Sequence, residues 1–476
     1  MRDEQIRKNY PSSDKKIVVD QLHGIPVEDP YRWLEDIESE SVSSWITAQN
    51  NLTDKILNSY PERETIKNRL TQLQYRDEVL KVKESRSGLF ILKKLSSKEQ
   101  PVLYFQAKDI TEERVLIDVN EVDPAGTTSL DYFFPSHEGT ILAYGLSEGG
   151  SEWAILYLMN VPSGELLDKK IERAKWSSVQ WKKDDSAFYY TRFPKPGDVP
   201  PGEEVFGSHI RLHELRTDPD LDPVIFENPE NPQEYPIPVL SPDGSFMIVR
   251  AYRFIASDLY LIDLTTNPPK TIPLVTESEW LLSPFISQNH VYIHSNHISP
   301  NFGLYRTEKE NFQMASWETV LEPQSDILQD VELVSDKIMA LWLHDVKSKV
   351  TLHELDGVLV KEITLPITGT VNPADMGGGF NGGLEYSDVY FNCMSFFQAQ
   401  TTYQFNIPSG NLIEFFKMDL NLDLTKYEIT EEWYQSQDGT RVHMFIIHSS
   451  QLAGDNPTIL YGYGGFNVSM TPFFSP

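Results

Sequence analysis

Seven polar turns, each followed by a strand-like apolar run, recur through most of this chain at separations of roughly 45–59 residues. The turns are Ser87-Gly88, Glu138-Gly139, Asp184-Asp185, Asp243-Gly244, Gln288-Asn289, Asp336-Lys337 and Ser387-Asp388, and the runs behind them include LFILKK, TILAYGL, FMIVRAY and IMALWL. A period of this length, with room for about four short strands per unit, is the signature of propeller blades. Each unit is one sheet that cannot bury its own faces, so stacking against neighbours is the only way to build a core. Seven units therefore predict a mainly β chain with a seven-bladed β-propeller over residues 73–423. Aromatic residues at 12% and 31 prolines suit many short strands and turns better than long helices.

The two ends depart from this rhythm. In residues 1–72, Val42, Trp45, Ile46, Gln49, Leu52, Ile56 and Leu57 recur at helical spacing, a face suited to packing on something larger. A second helix is expected near Pro61, with Ile66, Leu70 and Leu73 on one side. From residue 424 onward, TKYEITEEWYQSQDGTRVHMFIIHSS reads as two strands around an Asp438-Gly439 turn. PTILYGYGGFNVSM then reads as an interior strand ending in a glycine-rich turn, and its apolar face is an aggregation liability if its neighbours are missing.

A formal charge of −29 argues against a nucleic-acid or anionic-membrane partner, because phosphate binding needs a basic footprint. The single cysteine, Cys393, rules out an internal disulfide and fits a reducing compartment. No apolar stretch is long enough for a membrane span and the opening MRDEQIRKNYPSSDKK has no apolar leader, so a cytoplasmic location is expected.

Several matches to chemical motifs fail on context. Gly145-Leu-Ser147-Glu-Gly149 fits a G-x-S-x-G nucleophile elbow, but a strand-like run follows where a helix is required. Gly377, Gly379 and Gly382 fit G-x-G-x-x-G without a surrounding βαβ unit. His290, His294 and His297 would not share one face of a strand, and Asp218, Asp220 and Asp222 lack the glycine and twelfth-position glutamate of a calcium loop. No metal and no cofactor are expected.

Two segments remain: Asp29-Pro-Tyr-Arg-Trp-Leu-Glu-Asp36 and Leu460-Tyr-Gly-Tyr463-Gly-Gly-Phe466-Asn467. Glycines after a strand let backbone and a side-chain hydroxyl approach a reacting carbonyl, as in the oxyanion loops of hydrolases; a plain strand-to-loop turn reads equally from the residues. Together the segments resemble the prolyl oligopeptidase family of serine peptidases. The likeness extends to Ser147–Trp153 in the second unit and to Met394-Ser-Phe-Phe397 with Thr402-Tyr403 in the last. The resemblance implies an α/β-hydrolase domain assembled from both chain ends and capped by the propeller. It implies cleavage of short peptides on the carboxyl side of proline, by a cytoplasmic monomer. Carried over, Tyr463 corresponds to an oxyanion-hole hydroxyl, Phe466 to a wall of the proline pocket and Trp176 to a pocket aromatic on the propeller.

In the family the nucleophilic serine, aspartate and histidine follow the GYGGFN turn, and here ten residues follow Phe466. The 476 residues therefore hold an incomplete hydrolase domain and are expected to be inactive alone. The alternatives are a non-enzymatic propeller that binds peptides or proteins, and one half of a split peptidase.

Overall fold

Six of the seven turns prove to be the same structural element, the hairpin that joins the first strand of a sheet to its second, and Ser387-Asp388 likewise leads into the second strand of the seventh sheet. The computed structural model describes residues 10–309, 311–371, 379–418, 422–465 and 468–475. Among these, six four-stranded antiparallel sheets and one three-stranded sheet follow one another in chain order. They begin with the strands Glu78–Ser85, Thr128–Pro135, Val179–Trp181, Tyr235–Leu240, Leu282–Ile286, Ile327–Val334 and Thr370–Val371. The three-stranded second sheet has its outer edge covered by the isolated pairs Met159↔Leu166 and Leu156↔Ile171.

The apolar runs are continuous because the inner strands are covered on both faces. Along Phe246–Arg253, Met247 and Val249 pack toward the third sheet with Tyr189 and Ile210, whereas Phe246 and Ile248 pack toward the fifth with Leu282 and Ile293. Adjacent residues of a strand point to opposite sides, so one strand feeds two cores. Among the described residues every pair of neighbouring sheets shares such a cluster. The last of them joins Val79, Val82 and Ile91 of the first sheet to Tyr390 of the seventh, which closes the ring. The architecture is a seven-bladed β-propeller.

The ring closes through side chains rather than a strand shared between first and last blades. Gln400 Nε2 and Thr402 Oγ1 donate to the Val79 carbonyl at 2.7 and 3.5 Å, and Asn392 Nδ2 donates to the Leu80 carbonyl at 3.1 Å. Where the first strands converge, a cavity of about 440 Å³ is lined by Trp181, Leu240, Ile286, Glu332 and Tyr386 among others.

The chain divides into two compact units, residues 1–75 and 76–476. The first holds a hairpin of Val18–Leu22 with Ile25–Asp29, helix α1 (Glu40–Leu57) and helix α2 (Arg63–Gln74). Ser39 caps α1 by accepting from the Val42 amide. The DPYRWLED segment acts as a clip here. Asp29 accepts from the Tyr31 amide and from Arg32 Nε, both at 2.9 Å, while Arg32 Nη2 reaches Asp20 on the opposite strand at 2.5 Å. Within this unit the apolar residues of the two helices stay largely open: Ile46, Leu57, Ile66 and Leu70 are exposed and Val42 alone is fully buried.

Beyond the last blade, Tyr427–Gln435 and Arg441–Ser449 form the expected hairpin, with Gly439 at φ +87° in its turn. The interior strand expected at PTILYGYGGF is not formed. Residues 457–464 have no ladder partner, and Ile459 and Leu460 are 93% and 85% exposed. The segment after the described gap returns to the seventh blade, where Thr370 Oγ1 donates to the Pro472 carbonyl at 2.5 Å. Among the described residues no helix is long and apolar enough to cross a membrane.

Candidate peptide-binding site

Trp176 is held in a conformation that bulky residues avoid. It lies at φ +51°, and Arg173, three residues earlier, lies at φ +61°. A left-handed backbone costs an L-residue about 1–2 kcal/mol, so it persists only where the surroundings enforce it. They do so through the main chain. Tyr132 Oη donates to the Ala174 carbonyl at 2.7 Å, Tyr235 Oη donates to the Trp176 carbonyl, and Ser177 Oγ donates to the Thr191 carbonyl at 2.8 Å. With its backbone fixed by three blades, Trp176 remains 56% exposed.

Around it the blades supply further aromatics. The Tyr235 ring meets Trp176 edge-on at 6.4 Å and Phe193 at 6.1 Å, and Trp153 meets Phe193 edge-on at 5.4 Å. Lys175 places Nζ 4.0 Å from the Trp176 ring centre, with Glu152 as its ion-pair partner at 2.8 Å. Flat apolar walls of this kind suit a rigid, weakly polar ring. Burial pushes the Tyr235 phenol well above its ordinary range, so its hydroxyl stays a donor.

Tyr463 is half exposed, on the unpaired stretch before residue 465. A Cβ at Gly465 would lie 2.7 Å from its hydroxyl, so glycine there is what leaves the hydroxyl room. Phe466 lies outside the described residues. Among the described residues no hydrogen bond or ring contact joins Tyr463 to Trp176.

The discounted motifs have structural occupations. Ser147 lies buried inside the strand Ile141–Glu148, bonded to Asp131 Oδ1 and Ser129 Oγ at 3.0 Å each. The following strand is Ile155–Asn160, so no elbow exists. Gly377 lies outside the described residues. His290 and His294 share the strand His290–Ser295, whereas His297 lies beyond its end. His294 bonds the Leu328 carbonyl at 2.8 Å through Nε2 and stacks on Phe302, and burial holds it down at about 4, in the neutral form. His297 packs edge-on against Tyr305 and Trp317. The three aspartates diverge: Asp218 caps a 3-10 turn, Asp220 pairs with Arg192 and Lys195, and Asp222 accepts from Tyr190.

Residues that sequence reasoning missed are Trp153, Lys175, Phe193 and Tyr235 around Trp176. Lys175 adjoins Trp176, whereas the other three come from separate segments, and together they make no local motif.

The fold, a seven-bladed β-propeller, places the chain in an architecture used by enzymes and by binding modules alike. The chain belongs to the prolyl oligopeptidase family: the description "Prolyl oligopeptidase, N-terminal beta-propeller domain" matches residues 10–415. Curated relatives include a prolyl endopeptidase of Elizabethkingia miricola, 29% identical over 472 residues that make up 98% of this chain and 65% of the relative. Another is prolyl oligopeptidase A of Amanita bisporigera, 25% identical over 514 residues. The chain thus spans about two thirds of the length of these relatives. A structure from a study of two prolyl endopeptidases superposes at TM-score 0.90 with 29% identity, over 98% of this chain and 68% of the other. Prolyl oligopeptidase B of Galerina marginata matches at TM-score 0.86 with 20% identity over 98% of this chain and 69% of its own, which bears on the fold alone.

Proposed function

We propose that this chain carries the propeller and part of the hydrolase domain of a serine endopeptidase of prolyl oligopeptidase type, which cleaves short peptides on the carboxyl side of proline. On this reading residues 1–72 and 424–476 belong to one α/β-hydrolase domain, and 73–423 cap it. Trp176 and Phe466 wall the proline ring, and the Tyr463 hydroxyl donates to the oxyanion that forms when the scissile carbonyl is attacked. The observation that carries the reading is the strained Trp176, fixed through its main chain and left open in a member of this family. Among the described residues we read no nucleophile, acid and base set of this type, and the 476 residues alone are expected to turn over no peptide. Its working state is a cytoplasmic monomer, a reading that the lone buried Cys393 supports.

Calorimetric titration of the 476-residue chain with a blocked Ala-Gly-Pro-Ala peptide and its alanine counterpart tests recognition. Tighter binding of the proline peptide, reduced about tenfold by Trp176→Ala, is expected; equal binding of the two peptides overturns the reading. A fluorogenic glycyl-prolyl amide should show no hydrolysis above buffer, and turnover blocked by a serine-directed reagent would refute the inactivity. The second reading, a half-enzyme completed by another polypeptide, is favoured by the exposed Ile459, Leu460 and Tyr461. A native mass equal to that of the chain alone refutes it.

A further inference from the structure

The third blade contains a cationic pocket that the proline reading does not use. Its cavity of about 650 Å³ is walled by Arg173, Arg192, Lys195, Arg211, His209 and Phe193. Such a concentration of positive charge stands out in a chain of net charge −29. Three carboxylates also line it: Asp198, Asp220 and Glu227.

The cations are not matched one for one. Arg192, only 3% exposed, donates to the Glu172 and Pro219 carbonyls at 3.0 and 2.9 Å and to Asp220 Oδ1 at 3.1 Å. Lys195 uses the same Asp220 oxygen at 3.2 Å, so one carboxylate serves two cations. Arg211 donates only to neutral acceptors, His209 Nε2 at 2.9 Å and the Asp222 carbonyl at 2.6 Å. The Asp222 carboxylate is engaged instead by Tyr190 and His213. Arg173 donates to the Phe193 carbonyl at 3.3 Å, and its nearest carboxylate, on Glu172, stands 4.0 Å away. Asp198 accepts from the Lys195 amide, and Glu227 is exposed.

Two of these groups are shifted, chiefly by burial. Burial, then repulsion by Arg192, lowers Arg173 below the usual guanidinium range. Burial, with the three arginines adding to it, holds His209 down at about 4, so the ring is neutral, its Nδ1–H donates to the Gly207 carbonyl and its Nε2 accepts from Arg211. Arg173 is, besides, one of the two strained left-handed residues of the 173–176 turn. Planar guanidinium groups whose carboxylate partners are shared, as for Arg192, distant, as for Arg173, or lacking, as for Arg211, and which wall one cavity, are suited to bidentate capture of another carboxylate.

We propose that this pocket is a subsite for a carboxylate of the bound peptide, either its terminal carboxylate or an acidic side chain. The proposal rests on the reading that Trp176 holds the proline. Phe193 belongs to both regions: it lines the pocket, and its ring contacts Tyr235, whose ring contacts Trp176. An extended peptide advancing ~3.3–3.6 Å per residue crosses that span in about four residues.

The test is calorimetry on the 476-residue chain with three peptides identical up to three residues beyond proline. One ends in a free carboxylate, one in an amide, and one in a glutamate residue followed by an amide. The expected result is about tenfold tighter binding of one or both carboxylate forms than of the plain amide, and which one identifies the source. Arg211→Gln should erase most of that preference while leaving affinity for the plain amide unchanged, and Arg173→Gln should erase most of it as well. Exposed Lys195→Gln gives a smaller loss in the same direction, should either arginine variant fail to fold. Equal affinity of all three peptides for the unmodified chain overturns the proposal, as does a preference that survives both arginine substitutions. Competition by inorganic phosphate with no peptide preference overturns the peptide assignment. Replacing proline by alanine separates the two ideas: a carboxylate preference that persists with no proline dependence refutes the role of Trp176 and leaves the anion pocket standing.

Discussion

Gly145→Ala should destabilise the propeller although it adds one methyl group. A Cβ at this buried position would lie 2.2 Å from Tyr132 Cζ and 2.6 Å from both Cε atoms. Carbon atoms rest about 3.5–4.0 Å apart, so the ring must retreat by ~1 Å or more. The Tyr132 hydroxyl donates to the Ala174 carbonyl at 2.7 Å, and a retreat of that size breaks the bond. Overpacking costs about 1–3 kcal/mol, and leaving the paired groups unsatisfied adds ~1–3 kcal/mol. A total of roughly 2–6 kcal/mol follows. Urea unfolding followed by tryptophan fluorescence measures it as a lower midpoint at unchanged slope. Because Ala174 opens the turn that carries Trp176, the near-ultraviolet dichroism of the folded variant should change as well. In a Tyr132→Leu background the same glycine substitution should cost far less, since the clashing atoms are gone. A Gly145→Ala midpoint equal to wild type, or full additivity with Tyr132→Leu, would refute the reasoning.

Three further outcomes follow from other buried groups. Burial pushes the Cys393 thiol up to about 12, so the native chain should gain no mass with iodoacetamide at pH 8 and one adduct after denaturation; native labelling contradicts this. Burial and then Asp330 raise the Glu332 carboxyl to about 8, so the folded chain binds the extra proton between an unfolded value of 4.5 and 8 and loses stability as pH rises through that window. Glu332→Gln should match wild type near pH 4 and exceed it by on the order of 2 kcal/mol at pH 8.5, the figure discounted for partial exposure; a difference independent of pH in denaturant titrations rules this out. Gln400→Ala removes the shortest of the hydrogen bonds that close the ring and should lower stability by ~1–3 kcal/mol, visible as an earlier thermal transition that an exposed control such as Ser409→Ala does not show.

The blade count was legible in the sequence because one element, the hairpin between first and second strands, needs turn residues at the same place in every unit. Asp185 at φ +56° and Gly139 and Gly244 near φ +70° show the backbone requirement behind that regularity. The outer edges were less legible. The fourth strand of the second blade is reduced to the pairs at Leu166 and Ile171. The apolar pattern at PTILYGYGGF promises a strand only where neighbours complete its ladder, and residues 457–464 find none. Trp176 could be singled out by resemblance, whereas Tyr235, Phe193 and the arginines at 173, 192 and 211 could not. They converge only after the second, third and fourth blades have folded and stacked.

The side-chain seam between first and last blades also sets how this ring assembles. Within a blade, antiparallel hairpins join residues close in sequence, which favours fast, independent formation. The seam bonds from Asn392, Gln400 and Thr402 span separations of 312, 321 and 323 residues. Loop-closure entropy grows only logarithmically, by about 0.6 kcal/mol per doubling of length, so the search is long but the penalty is modest. Closure between the first and last blades is therefore expected to follow the stacking of their neighbours, and it joins the seven sheets into one ring.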